Sequence, residues 1–225
     1  MRFSEKYRPA ALREIVGQPC VSILQGIAAR PYPCCVLLEG PPGVGKTAAA
    51  YALAGELGTE DEFSGLLTVP ASELDIEECR RLFTERLRLR PMQGNGWHVL
   101  VLEELDGVGS KQVERYLKVK LETMLPAKCI VVATSNGTDR IDAALMQRFG
   151  VSLCFTGGAE FGRACQGRIA EIWEIESGGR DLPIGWQSWG LSGKQFSMRT
   201  ALDLMQVQLL LLARQELFTP ALAVA

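Results

Sequence analysis

CCVLLEGPPGVGKTAAAYALAGELG, Cys34 to Gly58, decides the fold of this chain. The apolar run from Cys34 to Glu39 ends at a glycine and reads as a buried strand. The alanine-rich segment after the loop, closed by Gly58, reads as a helix. Between them GPPGVGKT, Gly40 to Thr47, matches G-x-x-x-x-G-K-[ST] in the strand–loop–helix context that the pattern requires. Glycines let the backbone curl so that successive N–H groups face phosphate oxygens. Lys46 supplies a point charge for β- and γ-phosphates, the Thr47 hydroxyl can hold Mg²⁺, and the helix opening there adds the positive end of its dipole. A glycine-rich turn with a chance lysine would require neither the strand nor the helix. The expected nucleotide-binding segment is therefore Gly40, Pro41, Pro42, Gly43, Val44, Gly45, Lys46, Thr47 and Ala48.

The alternation continues outward from this loop. LLTVP reads as a second strand and DIEECRRLFTERLRLRP as a helix stopped by Pro91. WHVLVLEE is a third strand, and SKQVERYLKVKLETML a helix with Val113, Leu117, Leu121 and Met124 on one side. KCIVVATSN is a fourth strand and VSLCF, Val151 to Phe155, a fifth. Strands alternating with helices predict an α/β domain, a parallel five-stranded sheet sandwiched by helices. After Thr156-Gly157-Gly158 the alternation ends, and helices are expected over Glu160–Ile175 and Phe196–Phe218 with a short piece at Trp186–Trp189. The boundary falls near Gly158, with a nucleotide-binding domain over 1–158 and a small all-helical lid over 159–225. The first thirty residues, carrying Pro9, Gly17 and Pro19, read as a leading arm with a short helix.

The third strand finishes in two adjacent carboxylates, Glu103 and Glu104. Beside a phosphate loop, a neighbouring strand delivers an acid to the Mg²⁺ shell, and the next acid can polarise an attacking water. Glu103 fits the metal role and Glu104 the water role; the bland alternative is a strand emerging into solvent. The first acid is usually aspartate, and Glu103 is one methylene longer, so the metal would shift or be reached through water. Hydrolysis depends on this residue as binding does not.

Composition narrows the rest. Of 225 residues 47% are apolar and 22% charged, which suits a soluble globular protein. The formal net charge of −2 means that any nucleic-acid contact needs a local basic surface. Seven cysteines form no CxxC pair and His98 is the sole histidine, which removes most zinc arrangements and every histidine-based triad. Cysteines without a framework suit a reducing cytosol. MRFSEKYRP lacks the apolar core of a signal peptide, and VQLLLLA is too short to span a bilayer. The expectation is a cytoplasmic protein with no membrane contact.

Four further stretches carry a resemblance. FSEKYRPAALREIVGQ, ATSN, IDAALMQRF and SMRTALDLMQ resemble, in order and spacing from Arg2 to about Gln206, the AAA+ ATPases, and among them the small subunits of sliding-clamp loaders. The resemblance implies ATP with Mg²⁺. It places Tyr7, Arg8, Pro9, Val16, Gly17 and Gln18 around adenine, and Asn136 beside the γ-phosphate and attacking water. It makes Arg148 an arginine finger for a neighbouring subunit's phosphate and Arg199 a lid contact coupling closure to nucleotide. Read alone, Arg148 merely ends a short helix opened by Asp142, Arg199 is an exposed helix arginine, and Tyr7 is packing.

The chain departs from that pattern in two ways. It has no four-cysteine zinc insert after the phosphate loop, and the expectation is a shortened form without a collar domain. Assembly is then expected to rest on the ATPase interfaces or on another protein. Lys111, Arg115 and Lys118 share a helix face at i, i+4 and i+7. That face either contacts DNA phosphates or is solvated with Glu114 and Glu122 as partners. The basic stretch CRRLFTERLRLR has Glu85 within it and Glu77 and Glu78 just before it, so intrahelical pairing is expected. Two readings of function stand. One is an ATP-hydrolysing oligomeric switch acting on DNA or on a DNA-bound partner such as a sliding clamp. The other is a poorly hydrolysing regulator or scaffold that assembles with ATP. A threading motor is disfavoured, because TVPASELDIEE lacks the aromatic-then-small loop.

Overall fold

The computed structural model describes residues 1–123 and 125–218, so Met124 and the end of the expected lid, 219–225, lie outside the described residues. In chain order the elements are α1 (Phe3–Lys6), α2 (Val21–Ala29), β1 (Cys34–Glu39), α3 (Lys46–Glu56), β2 (Leu66–Pro70), α4 (Ile76–Thr84), β3 (His98–Glu103) and α5 (Lys111–Thr123). They continue as β4 (Cys129–Ser135), α6 (Ala143–Met146), β5 (Val151–Cys154), α7 (Ala159–Ser177), β6 (Leu191–Ser192), β7 (Gln195–Phe196) and α8 (Met198–Phe218). The chain forms two compact units, Pro9–Thr156 and Met1–Arg8 together with the chain from Gly157 onward.

The α/β unit holds five parallel strands in the order β2-β3-β4-β1-β5. β4 lies between β1 and β3, pairing Val36 with Val132 on one side and Val101 with Val132 on the other. A strand covered on both faces is written in near-continuous apolar residues, as β1, β3 and the first five residues of β4 are, while buried Thr134 and Ser135 at the end of β4 use their hydroxyls in hydrogen bonds. Alternate residues divide between the faces. Leu37, Leu100, Leu102, Val131 and Ala133 join one core with Cys79, Leu82 and Phe83 of α4 and Val113, Leu117 and Leu121 of α5. Val36, Val99, Val101 and Val132 point the other way, on a sheet against which α3 packs. Because the strands are parallel, the ends of β1, β3 and β4 meet at a single edge.

α4 is shorter than the sequence suggests. Asp75 caps it, accepting from the Glu78 amide at 2.7 Å, but it ends at Thr84 and the chain tightens into a 3₁₀ turn over Arg86–Arg88. Leu87 is buried in that turn, as Phe83 and Cys79 are one and two helical repeats before it. Arg81 pairs with Glu78 within α4, and Arg86 reaches Glu62 at 2.9 Å. The leading arm contains more structure than a short helix, since α2 buries Val21, Leu24 and Ile27.

In the second unit α7 buries Phe161, Cys165, Ile169, Ile172 and Trp173, and α8 buries Ala201, Leu202 and Met205. Phe161 meets Phe196 edge-on at 6.0 Å, and Trp173 lies 5.8 Å from Trp189. Besides the expected helices it carries an antiparallel hairpin, β6–β7, turned at Gly193 with φ 60°. Met1–Arg8, placed by sequence in the first domain, belongs here. The Phe3 amide donates to Gln206 Oε1 at 3.0 Å, and Lys6 and Tyr7 both donate to the Glu176 carboxylate.

Candidate nucleotide site

The loop after β1 is curled by glycine. Gly40, Gly43 and Gly45 have φ of 144°, 79° and 99°, and Gly45 caps α3 in the left-handed region. At Gly40 a Cβ would collide with the Phe155 carbonyl, so only glycine permits the approach of this loop to the end of β5. Lys46 is 6% exposed, and its ammonium donates to Gly40 O at 2.5 Å, Pro41 O at 2.7 Å and Asn136 Oδ1 at 3.0 Å. These acceptors are uncharged oxygens of the site itself. Main chain curled at a helix start around a buried ammonium is the arrangement that takes phosphate.

Gln18 braces the loop from behind. It is buried, its Nε2 donating to Val44 O at 3.2 Å and Thr156 O at 2.9 Å while its Oε1 accepts from the Thr156 amide at 3.0 Å. The amide is thus used on protein groups, tying the phosphate loop to Thr156, two residues beyond β5. Pro9, Val16 and Gly17 are half-buried in the same unit, whereas Tyr7 and Arg8 belong to the helical unit. There Tyr7 packs edge-on against Phe3, and burial together with the Glu176 carboxylate pushes its phenol upward.

The acidic edge has its own geometry. Glu103 ends β3 with Oε1 3.5 Å from the Tyr51 hydroxyl. Glu104 has φ 54° and is the only non-glycine residue at positive φ among the described residues. Such a conformation costs about 1–3 kcal/mol and concentrates at functional positions. Two bonds hold it there: the Glu104 amide donates to Thr134 Oγ1 at 3.1 Å, and Glu104 O accepts from the Gly107 amide at 2.7 Å.

Asp106 was not singled out by sequence reasoning. Its Oδ1 accepts from Ser135 Oγ at 3.0 Å and from the Asn136 amide at 3.2 Å, fastening the turn after β3 to the turn after β4. The available signal was faint, a third acid two residues beyond Glu104 in ELDG. Since β4 lies beside both β1 and β3, Asn136 stands between the phosphate loop and the acidic edge.

The remaining candidates are exposed or have other partners. Arg148 follows α6, its Nη2 3.1 Å from Glu122 Oε2 and its Nε buried without a hydrogen-bond partner. On α5, Lys111 and Arg115 are exposed, while Lys118 donates to Asp142 at 3.0 Å and holds that carboxyl below the usual carboxylate range. Glu122, expected as a partner for the α5 cations, is engaged by Arg148. Arg199 is exposed in the first turn of α8.

The residues fit a magnesium nucleotide. Thr47 sits half-buried in the first turn of α3, and no cluster of three or more His, Cys, Asp or Glu able to hold a metal occurs among the described residues. Mg²⁺ would therefore complete its shell with phosphate oxygens and water, as it commonly does. All seven cysteines are free, and no helix among the described residues is long and apolar enough to cross a membrane.

Fold and loop together define a P-loop nucleotide-binding protein, with β4 inserted between the loop strand and the acidic strand. The family model described as "ATPase family associated with various cellular activities (AAA)" matches residues 36–156, and the chain belongs to this family. The replication factor C small subunit of Archaeoglobus fulgidus is 33% identical over 149 residues, covering 65% of this chain and 46% of that relative. The replication factor C large subunit of Thermofilum pendens is 28% identical over 141 residues, covering 60% and 33% respectively. The chain thus spans less than half the length of these curated relatives. Among solved structures, the Thermotoga maritima RuvB Holliday junction branch migration motor superposes with a TM-score of 0.70 at 22% identity, over 92% of this chain and 67% of that one, a likeness of fold.

Proposed function

We propose that this chain binds ATP with Mg²⁺ and hydrolyses it as one subunit of an oligomer that acts on DNA or on a DNA-bound protein. The observation that carries this reading is the hydrogen bond from Lys46 Nζ to Asn136 Oδ1 at 3.0 Å, which couples the phosphate grip to the group that would orient the attacking water. Gly40 to Ala48 grip the phosphates through main-chain N–H groups and Lys46. Thr47 and Glu103 would hold Mg²⁺, which offsets charge on the β- and γ-phosphates. Glu104 accepts the proton of the water while Asn136 fixes its direction, and Arg148 meets charge developing on a neighbouring subunit's nucleotide. Tyr7, Arg8, Pro9, Val16 and Gly17 flank adenine, Gln18 stiffens the loop, and Arg199 reports nucleotide to the helical domain. Lys111, Arg115 and, once released from Asp142, Lys118 would take DNA phosphates without reading bases. The names of the replication factor C relatives support a partner in DNA replication, with a sliding clamp as the expected protein.

A second reading, a nucleotide-dependent scaffold that hydrolyses slowly, is favoured by Glu103, whose longer side chain lies near Tyr51. Labelled-ATP binding, turnover and particle mass, each with and without primed DNA, separate the two. The switch predicts DNA-stimulated turnover lost in Glu104→Gln and binding lost in Lys46→Ala. Tight binding and ATP-dependent assembly with negligible phosphate release would select the scaffold. A folded protein with no affinity for ATP would sink both.

A further inference from the structure

Helices α5 and α6 meet through two ion pairs of opposite sense. Lys118 and Glu122 are four residues apart on α5 and face Asp142 and Arg148, with Lys118 Nζ 3.0 Å from Asp142 Oδ1 and Arg148 Nη2 3.1 Å from Glu122 Oε2. The same Asp142 oxygen caps α6 by accepting from the Ala144 and Leu145 amides at 2.8 and 3.2 Å. This cap ties the start of α6 to α5, and the register it sets brings Arg148, beyond the other end of α6, beside Glu122. Arg148 is only half satisfied there. A guanidinium presents a planar fork of donors suited to a two-pronged anion. Yet its Nε is buried with no acceptor while its Nη2 reaches the carboxylate.

We infer that Glu122 is a positioning residue that restrains Arg148 on its own subunit until a phosphate of the neighbouring subunit's nucleotide replaces it. The inference rests on the proposed role of Arg148 as an arginine finger. Glu122 occupies Nη2 and offsets the charge of the guanidinium, so a two-pronged contact to phosphate through that nitrogen competes with the internal pair. The restraint is weak enough to be reversed. Side-chain exposures of 29% for Arg148 and 51% for Glu122 leave the pair open to water and salt. A pair so exposed biases an equilibrium by about two- to five-fold. Phosphate brings more charge and more acceptors than one carboxylate and wins the exchange. Glu122 thereby raises the protein concentration at which the shared site forms, holding the finger off solvent anions in the lone subunit.

The test is ATP turnover against protein concentration for the wild type, Glu122→Gln, Arg148→Ala and the double variant, with particle mass recorded alongside. Glu122→Gln should reach half-maximal turnover at about two- to five-fold lower protein concentration. The gain should fade at high salt and be absent on the Arg148→Ala background. ATP affinity of the lone subunit should stay level and its melting temperature fall by no more than about 4 °C; Glu122→Asp should fall between wild type and Glu122→Gln. An unchanged concentration dependence, or a shift to higher concentration, overturns the restraint. If Arg148→Ala is inactive while Glu122→Gln is silent, the restraint alone fails. If Arg148→Ala retains full turnover, the finger reading fails and the restraint with it.

Discussion

Asp106 offers the sharpest test of how the site is held together. Replacing it with alanine removes the Oδ1 that accepts from Ser135 Oγ at 3.0 Å and from the Asn136 amide at 3.2 Å. Hydrogen bonds to a charged acceptor contribute about 1.5–3 kcal/mol each when buried. Ser135 Oγ keeps the Gly137 carbonyl and Asn136 is exposed, so the combined loss should be about 1–3 kcal/mol. For a chain of this size that lowers the melting temperature by roughly 2–4 °C per kcal/mol. The larger effect should fall on turnover. Without Asp106 the turn carrying Asn136 relaxes, and a misplacement on the order of 1 Å costs up to about a hundred-fold in rate. Lys46 keeps its Gly40 and Pro41 acceptors, so nucleotide affinity should change by less than about three-fold, under 0.7 kcal/mol. Asp106→Asn retains a neutral acceptor and should recover part of the rate. Steady-state turnover, labelled-ATP titration and thermal melting on the three proteins decide the matter. Asp106→Ala with turnover unchanged, or with affinity falling in step with turnover, would refute the positioning role.

Other perturbations probe separate parts of the molecule. Gly40→Ala drives a methyl into the Phe155 carbonyl at a φ of 144° and should abolish nucleotide binding in a titration while the chain remains helical by circular dichroism. Gln18→Leu strips partners from Val44 and Thr156 and should cost about 2–4 kcal/mol in a denaturant melt. Burial pushes the thiols of Cys34 and Cys79 up to about 11 and those of Cys35, Cys129 and Cys165 up to about 12. Raised values mean less thiolate at a given pH, so at pH near 8 exposed Cys154 should be alkylated first, half-buried Cys34 slowly, and the four buried thiols only on unfolding, as mass spectrometry would show. Glu176 is held below its ordinary range by the Lys6 ammonium and then by the Tyr7 hydroxyl. Its contribution is therefore complete above the ordinary carboxylate range and lost as pH falls through the lowered value, so cleavage of Met1–Arg8 in limited proteolysis should speed up only in acid, and at neutral pH in Glu176→Gln.

What could be read from the sequence was what local chemistry enforces. Three positive-φ glycines and a lysine at a helix start announce themselves, and strands buried on both faces are written in near-continuous apolar residues. The acid pair was legible because it ends such a strand. Asp106 was not, because an aspartate before glycine is ordinary turn chemistry; its meaning comes from β4 lying beside β3, which brings Ser135 and Asn136 within reach. The same holds for Glu176, 170 residues from Lys6 in sequence, and for Glu122, whose spacing from Lys118 suggests an intrahelical pair until α6 supplies partners for both. The early end of α4 was hidden because Leu87 keeps the helical spacing of Cys79 and Phe83, and the β6–β7 hairpin because two-residue strands are too short to show a period.

This division between local and long-range information separates binding from hydrolysis within the site. The proposed phosphate grip draws on main chain, a glycine-bound curl and Lys46, all within one short segment. The proposed hydrolytic edge draws on side chains that follow two strands: Glu104 in a strained turn held by Thr134, and Asn136 in a turn held by Asp106. Strain at Glu104 persists only while those bonds outweigh it. Loosening Thr134 should therefore act as loosening Asp106 does. Thr134→Val removes the acceptor for the Glu104 amide yet preserves the shape of a fully buried strand, and it should lower turnover with ATP affinity intact. If Thr134→Val instead weakened ATP binding and left the rate per bound nucleotide unchanged, grip and hydrolytic edge would be one structural unit and the division would be mistaken.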